Sequence, residues 1–329
     1  MVKLLSEKEI KKLWKKLKKY PNVVGFDSTP RPRVKGGKVL PHVPTLRIYV
    51  SKKVKIEELK PEDVIPRKLG IGSLEMETDI VEIGEIKALQ DAKKKYRPIK
   101  AGISACHKDC TACTISGFFR DKETGQVYVA LNNHCGALEN KAKKGDSWIQ
   151  PSPYDGGKYP LDEIAKLHHF VEIKFNEFKC PLRNFFHKIY RALKRDTPMN
   201  KVDISFGIPL VKFHVASLGI PNSFSGYREP DISDEVQKTG RTTGYTKGKV
   251  VSTSWTGMVQ YSRGVATFTD CILVDGKGFS AGGDSGSPVF DMKGNLVGIL
   301  FAGSDTHTIL CKIKNIMKEG NVEVVLNEN

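Results

Sequence analysis

Gly283-Asp284-Ser285-Gly286-Ser287-Pro288 lies between a small-residue approach, Phe279-Ser280-Ala281-Gly282, and an apolar run beginning Val289-Phe290. Glycine at 283 allows a backbone conformation that a Cβ forbids and leaves its N–H free. That N–H and the N–H of Ser285 can serve as an oxyanion hole, Gly283 and Ser285 together stabilising charge on a carbonyl attacked by Ser285 Oγ. The competing explanation is a glycine-rich β-turn that merely contains Asp and Ser. The remainder of the chain decides between the two.

A serine nucleophile needs a base and an acid that orients the base. Upstream, Gln126-Val127-Tyr128-Val129-Ala130-Leu131-Asn132-Asn133-His134-Cys135 is a strand-like run ending in a histidine, a position from which an imidazole can enter a cleft. Further on, Asn200-Lys201-Val202-Asp203-Ile204-Ser205-Phe206 sets a carboxylate in apolar surroundings, where it can hold the Nδ1–H of His134. His168 and His169 compete for the base, but sit inside the strand-like 164–171. Asp162 competes for the acid, but follows the loop-like Lys158-Tyr159-Pro160. The order His134, Asp203, Ser285 is that of the chymotrypsin-like enzymes.

The chain resembles a trypsin-like, chymotrypsin-fold serine protease, and its last 95 residues resemble the bacterial alpha-lytic and streptogrisin branch. The resemblance is carried by Val236-Gln237-Lys238-Thr239-Gly240-Arg241-Thr242-Thr243-Gly244-Tyr245-Thr246-Lys247-Gly248, by the Gly283–Pro288 turn, and by Leu296-Val297-Gly298-Ile299-Leu300-Phe301-Ala302-Gly303-Ser304. Strands are expected around 250–255, 259–261 and 267–274. The fold implied is mainly β: a chymotrypsin-like double β-barrel, about 99–215 and 232–313, preceded by a small α+β N-terminal domain. The activity implied is peptide hydrolysis through an acyl-enzyme, with protein or peptide substrates and neither metal nor organic cofactor. The alternative is a protease-fold binding or scaffold protein of low turnover.

The resemblance implies further roles. Arg241 is expected to pair with Asp284 and support the oxyanion loop. Phe279 is expected at the base of the primary specificity pocket, with Phe301, Ala302 and Gly303 along one wall; the alternative is that insertions have moved the wall and Phe279 is core. No acid stands at 279, so an uncharged, apolar or small substrate side chain is expected. A cysteine just after the catalytic histidine commonly pairs with one on an upstream strand in this family, which implies a Cys113–Cys135 disulfide. Read from spacing alone, Cys106-x3-Cys110-x2-Cys113 leaves other uses open. One is a radical-SAM iron–sulfur loop, which needs a following β/α barrel where strand-rich sequence follows instead. Another is zinc held by these thiolates with Cys135 or His107. Cys271 and Cys311 form a second pair or remain reduced in the core.

The net charge of +16 is uneven, with +12 of it in residues 1–100. This asymmetry marks off a basic accessory domain, 1–95, ahead of an N-terminal barrel, 96–231, and a C-terminal barrel with terminal helix, 232–329. Ser6-Glu7-Lys8-Glu9 is a capping box, and Ile10, Leu13, Trp14 and Leu17 make an apolar helical stripe that Pro21 ends. Strands are expected at 23–26, 45–51 and 74–86. The lysines at 11, 12, 15, 16, 18 and 19 make an anionic partner conceivable, against a plain solvated face. A helical insertion is expected at about 180–198, from the spacing of Leu182, Phe185, Phe186, Ile189, Tyr190 and Leu193. No apolar run reaches the ~18 residues of a membrane span, so no transmembrane segment is expected. The lack of a continuous apolar leader reads as cytoplasmic, and the Lys/Glu/Ile-rich composition as thermophilic.

Overall fold

Ser6 opens the first helix, Glu7–Leu17. Its hydroxyl accepts from the Glu9 N–H, and the Glu9 carboxylate accepts from the Ser6 N–H at 2.8 Å. Two backbone donors left over at the helix start are thereby satisfied. The computed structural model describes residues 5–29, 31–35, 38–71, 74–84, 91–178, 181, 182, 184 and 198–327. The chain divides into two units, Met1–Ala88 and Leu89–Asn329.

In the first unit the helix buries Leu13 and Leu17 against Leu46, Ile48 and Met76. Trp14 lies at the rim of this contact, 38% exposed and stacked on Phe26 at 6.2 Å. The partner sheet runs in the order Val23–Phe26, Lys38–Val50, Leu74–Glu82, Lys68–Ile71, with Arg31–Lys35 also paired to Lys38–Val50. Its central pair is parallel, Leu46 opposite Thr78 and Ile48 opposite Ile80.

The second unit holds two β-structures. In the later one, Glu235–Gly240, Gly244–Gln260, Gly264–Asp275, His307–Lys312, Asn295–Gly303 and Pro288–Asp291 pair in turn, and the last pairs back to the first. Six strands therefore close a ring, which removes exposed edges. Val236, Val250, Ile272, Phe279, Val289 and Leu310 fill one end of it. The strand expected as two pieces at 250–255 and 259–261 is a single one, because register shifts between Val250 and Gly257 absorb its extra residues.

The earlier sheet runs Val322–Val324, Gly117–Asp121, Val127–Leu131, Ser205–Pro209, Glu163–Phe170, Ser147–Ile149, Cys106–His107. It wraps around Trp148, whose indole N–H donates to the Gly136 carbonyl at 2.8 Å. Between the two structures Phe119, Phe206, Phe224, Phe268, Phe290 and Phe301 share one core. The unit is mainly β, with the chymotrypsin-like double-barrel architecture.

The terminal helix is Ile313–Glu319, followed by an unanticipated strand, Val322–Val324, which returns to the first barrel. The expected insertion at about 180–198 lies outside the described residues apart from 181, 182, 184 and 198. Among the described residues no helix is long and apolar enough to cross a membrane.

Candidate active site

The strand Val127–Leu131 ends in one helical turn, Asn133–Gly136, which carries His134 at the barrel rim. Asp203 lies just ahead of the strand Ser205–Pro209, fully buried, its carbonyl accepting from Asn132 Nδ2 at 2.7 Å. His134 Nδ1 and Asp203 Oδ2 are 2.7 Å apart, and the His134 N–H donates to Oδ1 at 3.2 Å. Both Asp203 oxygens are thus turned toward one residue. Burial pulls the His134 pKa down, but the Asp203 charge and its hydrogen bond outweigh that, and the net position is above the usual histidine value. A third group reaches Asp203: the buried Tyr261 hydroxyl donates to Oδ2 at 2.8 Å.

Gly283 and Gly286 have φ of 96° and 97°, conformations that side chains resist. A Cβ on Gly286 would also overlap the Thr114 carbonyl oxygen. Thr114 straps the turn from the first barrel. Its N–H donates to the Ser285 carbonyl at 2.8 Å and its hydroxyl to the Gly283 carbonyl at 2.9 Å. The preceding residue, Cys113, forms a disulfide with Cys135, Cα to Cα 6.1 Å, whose sulfurs lie within 4.8 Å of a His134 ring nitrogen. The Cys113-Thr114 segment therefore lies near His134 through its sulfur and holds the Ser285 turn through its threonine. Among the described residues, the N–H groups of Gly283 and Ser285 donate to no protein acceptor and Ser285 Oγ has no hydrogen-bond partner.

Asp284 does not pair with Arg241, which corrects the expectation above. Asp284 Oδ1 accepts from the N–H groups of Thr242 (2.7 Å) and Thr243 (3.2 Å), and Oδ2 from Thr243 Oγ1 (2.7 Å) and the Ala281 N–H (3.0 Å). Its cation is Lys238, fully buried, with Nζ at 3.6 Å. Burial lowers the Lys238 pKa to about 8, against the opposing pull of Asp284. Lys238 lies inside the barrel on the strand Glu235–Gly240, whereas Arg241 follows the strand's end and faces the first barrel. There Arg241 Nε donates to Asp155 Oδ2 at 2.8 Å and Nη2 to Oδ1, with Tyr154 under the guanidinium at 5.0 Å. Arg241 still reaches the loop indirectly, because Nη1 donates to Thr242 Oγ1, which donates to the Gly282 carbonyl at 2.7 Å.

Two of the expected pocket residues are also corrected. Phe279 is 1% exposed and packs with Val236, Val250 and Val274 in the barrel core. Phe301 is 3% exposed and packs on Phe268 at 4.6 Å. A register irregularity between Leu300 and Ala302 turns both Leu300 and Phe301 inward, leaving Ala302 half-buried and Gly303 exposed. Beside Gly303 stands a hydroxyl pair, Ser280 Oγ and Thr308 Oγ1 at 2.6 Å. The disulfide takes up Cys113 and Cys135, so neither thiolate is free for the alternative left open by spacing, zinc held by Cys106, Cys110 and Cys113 with Cys135 or His107. Cys271 and Cys311 are buried free thiols; burial pushes the first up to about 12, and the second accepts from the Asp203 N–H at 3.3 Å.

Tyr261, Asp155 and Thr114 carry no sequence signal for this site, since each acts across a long separation: 58 residues for Tyr261 to Asp203 and 86 for Asp155 to Arg241. Lys238 does carry one, as a lysine among strand residues near the Gly240–Gly244 segment.

No family model and no curated protein matches the chain. Solved structures do. Thermobifida fusca protease A is similar over 70% of this chain and 99% of its own, at 17% identity and a TM-score of 0.46. Nocardiopsis protease is similar over 69% and 98%, at 15% identity and 0.45. An alpha-lytic protease homolog, N4, is similar over 68% and 98%, at 13% identity and 0.44. The chain is similar to bacterial serine proteases of the chymotrypsin fold.

Proposed function

We propose that the protein is a serine endopeptidase that hydrolyses peptide bonds through an acyl-enzyme at Ser285. His134 takes the proton of Ser285 Oγ as that oxygen attacks the scissile carbonyl, and later gives it to the leaving amine. Asp203 holds Nδ1–H and stabilises the imidazolium. The N–H groups of Gly283 and Ser285 receive the oxyanion, and water then releases the acyl group. The observation that carries this reading is the 2.7 Å contact between His134 and a fully buried Asp203. A hydrogen bond between Ser285 and His134 is a feature of the substrate-bound state, since such contacts tighten on binding.

A fluorophosphonate probe is expected to label the protein once, and labelling is expected to vanish in Ser285→Ala. Folded wild-type protein that stays unlabelled would overturn the reading in favour of a protease-fold scaffold. The uncharged hydroxyl pair Ser280–Thr308 beside Gly303 supports a small or polar, uncharged substrate side chain. Peptide-library cleavage dominated by Lys, Arg, Asp or Glu at that position would refute it. The exposed lysines at 11, 12, 15, 16, 18 and 19, on the first helix and just after it, support an anionic partner for the N-terminal unit. Salt-dependent heparin retention that survives their replacement by glutamine would count against it.

A further inference from the structure

The hairpin end between Gly244–Gln260 and Gly264–Asp275 belongs to the second barrel, yet it is held by the histidine side of the first. Glu139, in the turn after the His134 helix, accepts the N–H groups of Ser262 and Arg263 on its two carboxylate oxygens, both at 2.9 Å. The Arg263 guanidinium returns to the Glu139 carbonyl and lies over the Phe175 ring at 5.5 Å. Tyr261, clamped in this way, packs edge-on to Phe175 and His134, both at 5.9 Å. Its hydroxyl meets Asp203 Oδ2, the oxygen that also accepts from His134 Nδ1.

A fully buried carboxylate needs its lone pairs satisfied, and each donor it gains fixes the plane in which it lies. The His134 N–H occupies Oδ1, while Nδ1 and Tyr261 share Oδ2. We propose that Tyr261 is a positioning residue for the His134–Asp203 pair: its hydroxyl locks the carboxylate toward the imidazole and takes up part of the Oδ2 charge. The role rests on the hydrolytic reading of Ser285. It gives the second barrel a hold on the acid as well as on the nucleophile, so both halves must be docked before the base is aligned. Burial and the Asp203 charge push the tyrosine hydroxyl well above its ordinary value, so it remains a donor. The other titratable groups near His134 are Glu139 and Cys110, and Cys311 lies beside Asp203 and Tyr261.

Tyr261→Phe keeps the ring and removes the donor. Full charge returns to Oδ2 and favours the imidazolium, so the His134 titration midpoint, read by NMR of its ring protons, is expected to move up by about one unit. The acid limb of kcat/KM moves with it, and kcat falls about tenfold with KM unchanged. Phe175→Leu serves as the packing control: it loosens the same ring contact, keeps the hydroxyl, and is expected to lower Tm without moving the midpoint. A folded Tyr261→Phe protein with the wild-type midpoint overturns the inference, as does a Phe175→Leu protein that shifts it equally. The NMR readout needs no turnover, so failure of the peptidase reading, seen as an unlabelled wild type, is told apart from failure of this one.

Discussion

Lys238 and Arg241 stand three residues apart and hold the Gly283–Pro288 turn in opposite ways. Lys238 keeps its charge inside the barrel, 3.6 Å from Asp284, where burial brings its pKa down to about 8. Arg241 keeps its charge at the seam between barrels, where two bonds to Asp155 outweigh burial and raise its pKa. A compact ammonium can lose its proton, whereas a guanidinium does not. The inner support is therefore conditional on pH and the outer one is not.

The largest expected effect breaks the inner support. Lys238→Met leaves Asp284 buried without its cation, so the turn is expected to lose its shape and most of the turnover with it. Urea denaturation and turnover measure it, and a protein unchanged in both shows that Thr242, Thr243 and Ala281 suffice for Asp284. The same contrast has a pH form. Between about pH 8 and Lys238's ordinary 10.5 the unfolded chain holds a proton that the folded one has released. This group's contribution to stability therefore rises with pH across that window, while the pairing that shapes the loop is lost. Activity is expected to fall above about pH 8 with no fall in Tm from this group, and Lys238→Arg should carry the limb to higher pH. A limb that stays put in Lys238→Arg belongs to another residue.

A smaller effect comes from the covalent tie on the histidine side. Cys113 and Cys135 enclose 22 residues of separation, so removing the disulfide is expected to cost about 3 kcal/mol. The double alanine variant tests this by chemical denaturation, and a change near zero would mean that the Thr114 strap holds the segment alone. Smaller still is Arg241→Ala, at about 2 kcal/mol for a charged hydrogen-bonding partner removed. Burial raises the Asp155 pKa, but Arg241 and Ser104 outweigh it and bring it below the usual carboxylate range. That contribution is complete above about pH 4 and is lost as pH falls through the folded value. Arg241→Ala should accordingly flatten the acid side of the Tm profile and leave the alkaline activity limb untouched.

The double-barrel architecture was legible because its cues are local: a glycine-serine turn, strand-like runs, and a motif of fixed order. His134, Asp203 and Ser285 could be proposed because each has telling neighbours within a few residues, and of the three the first two stand 2.7 Å apart. The partner of Asp284 was not legible. A stretch reading Lys238-Thr239-Gly240-Arg241 offers two cations, and only the strand's end decides which of them faces inward. Phe301 misled for a related reason, since an irregular register decides on which side of a strand its ring falls, whereas Phe279 lies in the turn after Gly264–Asp275 and packs its ring into the barrel core. Tyr261 could not be read from the sequence, because it meets Asp203 through a hairpin held by Glu139, a contact that exists only after the barrels dock.

The short strand Val322–Val324 lies along Gly117–Asp121, and the Val325 N–H also donates to the Phe118 carbonyl at 3.0 Å. During synthesis on the ribosome some two hundred residues separate the emergence of one partner from that of the other. Throughout that interval the Gly117–Asp121 edge presents unpaired N–H and C=O groups, a template for another chain. The first barrel thus finishes last although it is made first, and a nascent chain arrested before residue 322 would be the form most exposed to edge-to-edge aggregation.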